Sequence, residues 1–236
     1  MLDPIQQPTI ESVLHSSTLL NSLTAEEMQT LARNSRMARA ARGEAVWLHG
    51  SEVEFFGLVS LGFVKMVKGS ASGHDAALEI MGPGQIFGMM GTIEGVGCPL
   101  TAIAVTELSY LKIPKTTFGP IYEANHAFKD RLIRRSSMRL HDKMNLLARL
   151  SSGRVEQRMA TILFMLTDSY GEETPAGVRL QVPLTRQDLA ELAGTSTETA
   201  IRVMSRWQKE GVVATESHII TLLDTDALQE VLDHSG

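Results

Sequence analysis

The sequence predicts an α+β chain made of an antiparallel β-roll, a long helix and a terminal group of short helices closed by a β-ribbon. Three observations carry that reading. Between Ala45 and Ile113, short apolar runs alternate with glycines. From residue 118 to about 151 the apolar residues take up helical spacing with a heptad seam. From Thr185 to Leu222, two helical patterns flank a glycine and lead into a pair of β-rich runs.

Bulk properties bound the function. At 236 residues and 43% hydrophobic, the chain can hold two ordinary domains with packed cores. Its formal net charge of −5 is unevenly spread: Arg131, Arg134, Arg135, Arg139, Lys143, Arg149, Arg154 and Arg158 face only Asp142 and Glu156 over the same stretch. Placement, rather than net charge, governs binding to a polyanion. The single cysteine, Cys98, excludes an internal disulfide, a zinc finger and an iron–sulfur cluster held by four cysteines, and points to the cytoplasm. No run approaches the roughly 18 consecutive apolar residues of a membrane span, and Met1 to Pro8 lacks the pattern of a signal peptide. No nucleophile with a neighbouring base, no phosphate loop and no metal-spaced cluster appears; Gly82-Pro-Gly84 reads as a turn, so no enzyme is expected.

Taken in order, Ile10–Leu20 and Thr24–Ala41 show helical periodicity. Thr24-Ala-Glu-Glu27 forms a capping-box start, with Met28, Leu31 and Ala32 facing inward. Strands are expected at 45–48, 55–60, 63–67, 77–81, 101–105 and 107–113, punctuated by Gly50, Gly62, Gly69, Gly73, Gly82, Gly84, Gly88 and Gly91. Regular short strands with glycine turns predict an antiparallel barrel or jelly roll. Pro114 marks the exit into helix. Along the long helix, Ile133, Ser137, Leu140, Met144 and Leu147 are spaced 4, 3, 4 and 3, a seam suited to a coiled-coil homodimer or to a stripe lying on the roll. Ser151-Ser-Gly153 reads as a hinge, 154–169 as an amphipathic helix, 171–177 as a polar loop and 178–182 as a strand. The expected domains are 1–117 for the helices and roll, 118–151 for the dimerisation helix and 152–236 for the terminal unit.

That terminal unit reads as a winged helix-turn-helix. Thr185 with Asp188 starts the first helix, and Gly194 permits a sharp turn. The second helix opens at Thr195-Ser196-Thr197-Glu198 and runs to about Lys209, burying Ala200, Val203, Met204 and Trp207. Glu198, Arg202 and Arg206, at i, i+4 and i+8, share the opposite face. In a major groove, arginine pairs bidentately with guanine and glutamate accepts from cytosine N4. Glu198, Arg202 and Arg206 are therefore candidate DNA contacts, with Thr185, Arg186, Ser196, Thr197 and Thr199 beside them. Gly211 stops the helix, and 212–214 and 219–222 bracket Thr215-Glu-Ser-His218 as a wing. A plain helical hairpin in a small bundle, with Glu198 merely capping Thr195, is one alternative, and a roll-based regulatory subunit whose hairpin binds protein is another.

Beyond these readings, a set of motifs runs through most of the chain. In the roll they are Gly43, Trp47-Leu-His-Gly50, Phe55-Phe-Gly-Leu-Val59, Gly62-Phe-Val-Lys-Met66, Gly73 and Ile80-Met-Gly-Pro-Gly-Gln-Ile-Phe-Gly88. In the hairpin they are Leu184-Thr-Arg-Gln-Asp-Leu-Ala-Glu-Leu-Ala-Gly194 and Glu198-Thr-Ala-Ile-Arg202. In this order the chain resembles the cyclic AMP receptor protein and fumarate–nitrate regulator (CRP/FNR) family of bacterial transcription regulators. The resemblance implies a cyclic-nucleotide-binding-like roll, a homodimer, a palindromic promoter site on double-stranded DNA and contact with RNA polymerase. It also implies that Glu198 and Arg202 read a G·C pair, although Thr197 stands where members like the cyclic AMP receptor have an arginine and Ile201 where fumarate–nitrate regulators usually have a serine.

The sensor departs further. Nucleotide-binding members follow Phe-Gly with a glutamate for the ribose and later place an arginine for the cyclic phosphate; here Met89 and Leu100 stand at those places. A buried phosphate without its guanidinium costs several kcal/mol, so cyclic AMP is not expected in the usual mode. The cysteine cluster of the iron–sulfur branch is absent as well. The expected effector pocket is Phe87, Gly88, Met89, Met90, Leu100 and Thr101, an apolar lining that suits haem, a small hydrophobic ligand or a filled core. Haem would need an axial ligand from among His15, His49, His74, Cys98 and the methionines. Redox chemistry at Cys98, a nucleotide bound differently and the absence of any effector stay open.

Overall fold

The structure, a computed structural model, describes residues 8–52, 54–69, 76–94 and 97–233. The chain divides into two compact units, Met1–Lys68 with Glu79–Ser137 and Gly69–Leu78 with Met138–Gly236.

In the first unit, α1 (Ile10–Ser16) is capped by Thr9 and followed by a single 3-10 turn at Leu20–Ser22. The predicted capping box starts α2 (Ala25–Asn34): Thr24 Oγ1 accepts from the Glu27 N–H at 3.2 Å, and Glu27 Oε2 accepts from the Thr24 N–H at 2.7 Å. Helical periodicity extends to Ala41, but α2 ends at Asn34, and Arg36–Ala40 is instead strand β1. Pairing with β8 (Leu108–Pro114), from Arg36 opposite Lys112 to Ala40 opposite Leu108, gives that backbone a long-range partner that local propensity cannot anticipate.

The remaining roll strands are β2 (Ala45–Trp47), β3 (Phe55–Leu61), β4 (Val64–Lys68), β5 (Ala76–Met81), β6 (Ile86–Phe87) and β7 (Thr101–Ala104). They form two four-stranded sheets, ordered β1-β8-β3-β6 and β2-β7-β4-β5. Strand alternation separates two cores. Val59, Leu108 and Tyr110 join Trp47, Val64, Met66, Met81, Phe87, Ala102 and Ala104 inside the roll. Their neighbours Phe56, Leu58, Leu111 and Ile113 lie in the other cluster, with Leu14, Leu20, Leu31, Phe118 and Phe128. The two-residue β6 and the short helix α3 (Met89–Glu94) have too little length to show periodicity in the sequence.

The helix expected from residue 118 is two helices, α4 (Lys115–Ala124) and α5 (His126–Ser152). Asn125 makes the break. Its Oδ1 accepts from the Phe128 N–H at 2.9 Å, and its Nδ2 donates to both carboxylate oxygens of Glu27 at 2.9 and 3.0 Å.

In the second unit α5 runs on through Ser151 and Ser152, so the break in the chain narrows to Gly153 and Arg154. Next comes α6 (Val155–Tyr170), where Gln157 Oε1 accepts from the Arg154 N–H at 2.8 Å. The polar segment expected as a loop after it is a hairpin, β9 (Gly171–Thr174) and β10 (Gly177–Leu180), whose register pairs Gly177 with Thr174. Its polarity follows from exposure of β9, an edge strand of the sheet β11-β12-β10-β9. The unit is completed by α7 (Arg186–Ala193), α8 (Thr197–Lys209), β11 (Val213–Glu216), β12 (Ile219–Leu222) and α9 (Thr225–Asp233). Met159, Leu163, Leu184, Leu189, Met204, Trp207, Ile220, Leu222 and Leu228 are all buried there.

Candidate nucleic-acid interface

The hairpin is built from short-range hydrogen bonds. Thr185 caps α7: its Oγ1 accepts from the Asp188 N–H at 3.1 Å, and Asp188 Oδ2 accepts from the Thr185 N–H and hydroxyl at 2.9 and 2.7 Å. Gly194, at φ 60° and ψ 48°, ends the helix in the left-handed region that costs glycine little. Ser196 then caps α8, its Oγ accepting from the Thr199 N–H at 3.2 Å and donating to Thr199 Oγ1 at 3.1 Å. The cap is thus Ser196 rather than Thr195, and the hydroxyls of Ser196 and Thr199 are held within the helix start. Thr197 is the first helical residue and is half-buried.

From that cap, α8 buries Ala200, Val203, Met204 and Trp207 and exposes Glu198, Ile201, Arg202, Ser205 and Arg206. Glu198 and Arg202 share one outward face. Arg206 is drawn to protein carboxylates, with Nη1 2.9 Å from Glu156 Oε1 and Nε 3.8 Å from Glu210 Oε1. Arg186 is half-buried; its Nη2 donates to Thr215 Oγ1 at 3.1 Å, tying the first turn of α7 to the wing strand β11, and burial lowers its pKa. The wing turns at Ser217 and His218, which have φ of 49° and 68°. The contacts of Arg186 with Thr215 and of Arg206 with Glu156 were not legible in the sequence, because those partners lie far from them along the chain.

Residues 38–125 match the cyclic nucleotide-binding domain, and residues 157–231 match the Crp-like helix-turn-helix domain. The chain belongs to the CRP/FNR family of transcription regulators. It is 22% identical over 219 residues to a CRP-like cAMP-activated global transcriptional regulator of Mycobacterium tuberculosis, covering 93% of this chain and 98% of that one. It is also 22% identical to the fumarate and nitrate reduction regulatory protein of Salmonella typhi, over 82% of this chain and 77% of the relative. The structure of FixK2 from Bradyrhizobium japonicum shares the fold, with a TM-score of 0.72, 19% identity and coverage of 84% of this chain and 96% of that one. The family is one of transcription regulators rather than enzymes, and the helix-turn-helix is its DNA-binding domain. Among the described residues, no helix is long and apolar enough to cross a membrane.

In this CRP/FNR regulator the expected effector residues do not gather into one pocket. Phe87 lies in the core of the roll, and Leu100 packs against it. Met89 lies in the other core, with the helices, and Met90 is 48% exposed. The reason is α3: a helix beginning at Met89 sends consecutive side chains in different directions. Gly88, at φ 81°, has no room for a Cβ beside the Trp47 indole, and Thr101 Oγ1 accepts from the His49 N–H at 3.0 Å. Inside the roll Trp47 stacks on Phe87 with ring centroids 5.1 Å apart, and Tyr110 meets Phe87 edge-on at 5.6 Å. Trp47 Nε1 donates to the Leu100 carbonyl at 3.1 Å. Met89 and Leu100 offer no charge to a cyclic phosphate.

Of the candidate haem ligands, Cys98, Met66 and Met81 lie in the roll core with Phe87. His15 is exposed on α1, outside the roll, and the exposed His49 has Nε2 3.3 Å from Lys68 Nζ. His74 lies outside the described residues. Cys98 is buried, and that burial pushes its thiol pKa up, away from the reactive thiolate. Among the described residues, no three His, Cys, Asp or Glu side chains cluster as metal ligands.

The heptad seam of α5 is open. Ile133 is 63%, Leu140 59%, Met144 62% and Leu147 67% exposed, and Ser137 is exposed as well. Met138, 62% exposed, adds an apolar side chain beside the seam that the 4-3 spacing omits.

Proposed function

We propose that the chain acts as a homodimer that reads a palindromic DNA site, placing one α8 in each half-site, with Glu198 and Arg202 on base edges. The observation that carries this reading is α8 itself: its inner face is locked by Trp207 and Met204, while Glu198 and Arg202 project together from the outer one. That is the size and chemistry of a major-groove reader. Thr185, Arg186 and Thr197 flank it as phosphate or base-edge contacts. Two-fold pairing through Ile133, Ser137, Leu140, Met144 and Leu147 gives the open apolar seam a partner. DNA-bound, the dimer contacts RNA polymerase, as the family implies.

The roll is a packed scaffold that binds no cyclic AMP in the usual mode. Support comes from the Trp47–Phe87–Tyr110 cluster and from Met89 and Leu100 at the ribose and phosphate positions. In this the chain differs from the cAMP-activated relative it resembles.

The test is selection of sites from random duplex DNA, followed by titration of the preferred site at several salt concentrations. Wild type selects a palindrome with a G·C pair in each half and binds it equally well with and without added cyclic AMP or haem. Arg202→Ala costs about 1–3 kcal/mol of specific binding and relaxes the choice at one position of each half-site. A wild-type protein with no palindrome preference would falsify the DNA reading, and a large gain in affinity on adding either effector would overturn the packed-scaffold reading.

A further inference from the structure

We propose that Arg158, with Glu156 beside it, is a positioning clamp that fixes the recognition helix α8 to the chain break at Gly153. The inference rests on the DNA reading above and adds a role for two residues that touch no base in it.

Arg158 sits in the first turn of α6, directly after the break. Its guanidinium donates through three different nitrogens to three backbone carbonyls: Nε to Ala193 at 2.8 Å, Nη1 to Gly153 at 3.1 Å and Nη2 to Gly194 at 3.2 Å. Ala193 and Gly194 are the end of α7 and the turn into α8. Carbonyls at a helix C-terminus lack intrahelical donors and carry the negative end of the helix dipole, so a cation is suited to them. One planar fork therefore joins the break to a turn that begins 35 residues beyond Arg158.

Two residues earlier, Glu156 makes the second hold, pairing with Arg206 at 2.9 Å towards the far end of α8. The pair is half-exposed, so it contributes geometry more than stability. Together the two contacts grip α8 through the turn before it and through its last turns. Any rotation about Gly153 then carries the recognition helix as a rigid body, and in a dimer this sets the spacing at which two half-sites are read together. A lysine at 158 can keep the charge but cannot present a rigid fork to three separated carbonyls.

The test uses full-length wild type, Arg158→Gln and Arg158→Lys. Each is titrated against the selected palindrome and against the same half-sites separated by two additional base pairs. The clamp predicts that both variants lose about tenfold of the preference for native spacing, the equivalent of about one charge-assisted hydrogen bond. The dependence of affinity on salt stays unchanged, because no phosphate contact is removed. A salt slope reduced by about one would make Arg158 a phosphate contact instead. Lower thermal stability with unchanged spacing preference would make it merely structural; either result overturns the clamp. Amide hydrogen exchange without DNA supplies an independent reading: exchange at Gly194 and Thr195 accelerates in Arg158→Gln, and unchanged exchange there overturns the clamp. If wild type has no palindrome preference, the DNA reading fails, and exchange alone decides the clamp.

Discussion

Cys98 illustrates how surroundings decide the chemistry of a single residue. Its sulfur is buried beside the α3 turn, and desolvation raises its pKa above the ordinary 9.0. The sign of the linkage follows. As pH rises past the ordinary value the unfolded chain loses the thiol proton first, while the native state retains it. Stability is therefore full below that value and falls as pH climbs towards the native pKa. Tyr110, raised by burial and by Glu44, adds to the decline above 10.0. Urea unfolding at neutral pH and at about pH 9.5 should show a smaller loss for Cys98→Ala than for wild type, because only wild type carries the buried thiol. Equal losses would remove Cys98 from the account. Native Cys98 should also react with a thiol reagent far more slowly than the unfolded chain.

The wing shows the same logic at the scale of an element. Ser217 and His218 connect β11 and β12 as a two-residue turn with φ of 49° and 68°, a conformation that favours Asn-Gly and strains side chains with a Cβ. The Leu184 N–H donates to the His218 carbonyl at 2.8 Å, a backbone bond that a side-chain change leaves intact. Replacing Ser217-His218 by Asn-Gly should stabilise the chain by about 0.5–1 kcal/mol, read as a higher urea midpoint at constant slope. A lower midpoint would show that the native side chains make contacts worth more than the strain. Although Thr215 and Glu216, expected in the loop, pair with Ile220 and Ile219 as part of β11, the wing was legible as a hairpin because its turn and strands are local. The same is true of α2, α7 and α8, whose caps lie within three residues of the bonds they make. Strand β1 was not, since Arg-Met-Ala-Arg-Ala reads as helix until β8, some seventy residues on, pairs with it. Nor was the break at Asn125, whose partner Glu27 comes from α2. Among the proposed contacts, Glu198 and Arg202 could be found by helical spacing, whereas the engagement of Arg206 and Arg158 depends on folding across a domain. Phe87 and Met89, both expected in an effector pocket, lie in different cores because α3 begins at Met89, a short helix that the sequence does not show.

At the scale of the whole molecule, the seam of α5 explains why so apolar a surface is retained. Five positions at heptad spacing leave four large side chains more than half exposed, which in a lone chain would favour aggregation. In the proposed dimer the same side chains would face those of a second copy as knobs into holes. Pairing also changes the arithmetic of DNA recognition, because the second half-site is then bound intramolecularly, at a high effective concentration. Leu140→Glu combined with Leu147→Glu should break the dimer. Each substitution puts a charge where the partner offers apolar surface, and symmetry doubles the cost by placing like charges across the seam. Sedimentation equilibrium should give a monomer whose circular dichroism matches wild type. Its affinity for a single half-site should be retained, while affinity for the full palindrome falls by about 10²-fold or more as avidity is lost. A double variant that still sediments as a dimer would place the interface elsewhere. One that becomes monomeric yet binds the palindrome at wild-type strength would separate dimerisation from DNA reading, and recognition would then have to lie wholly within one copy of α8.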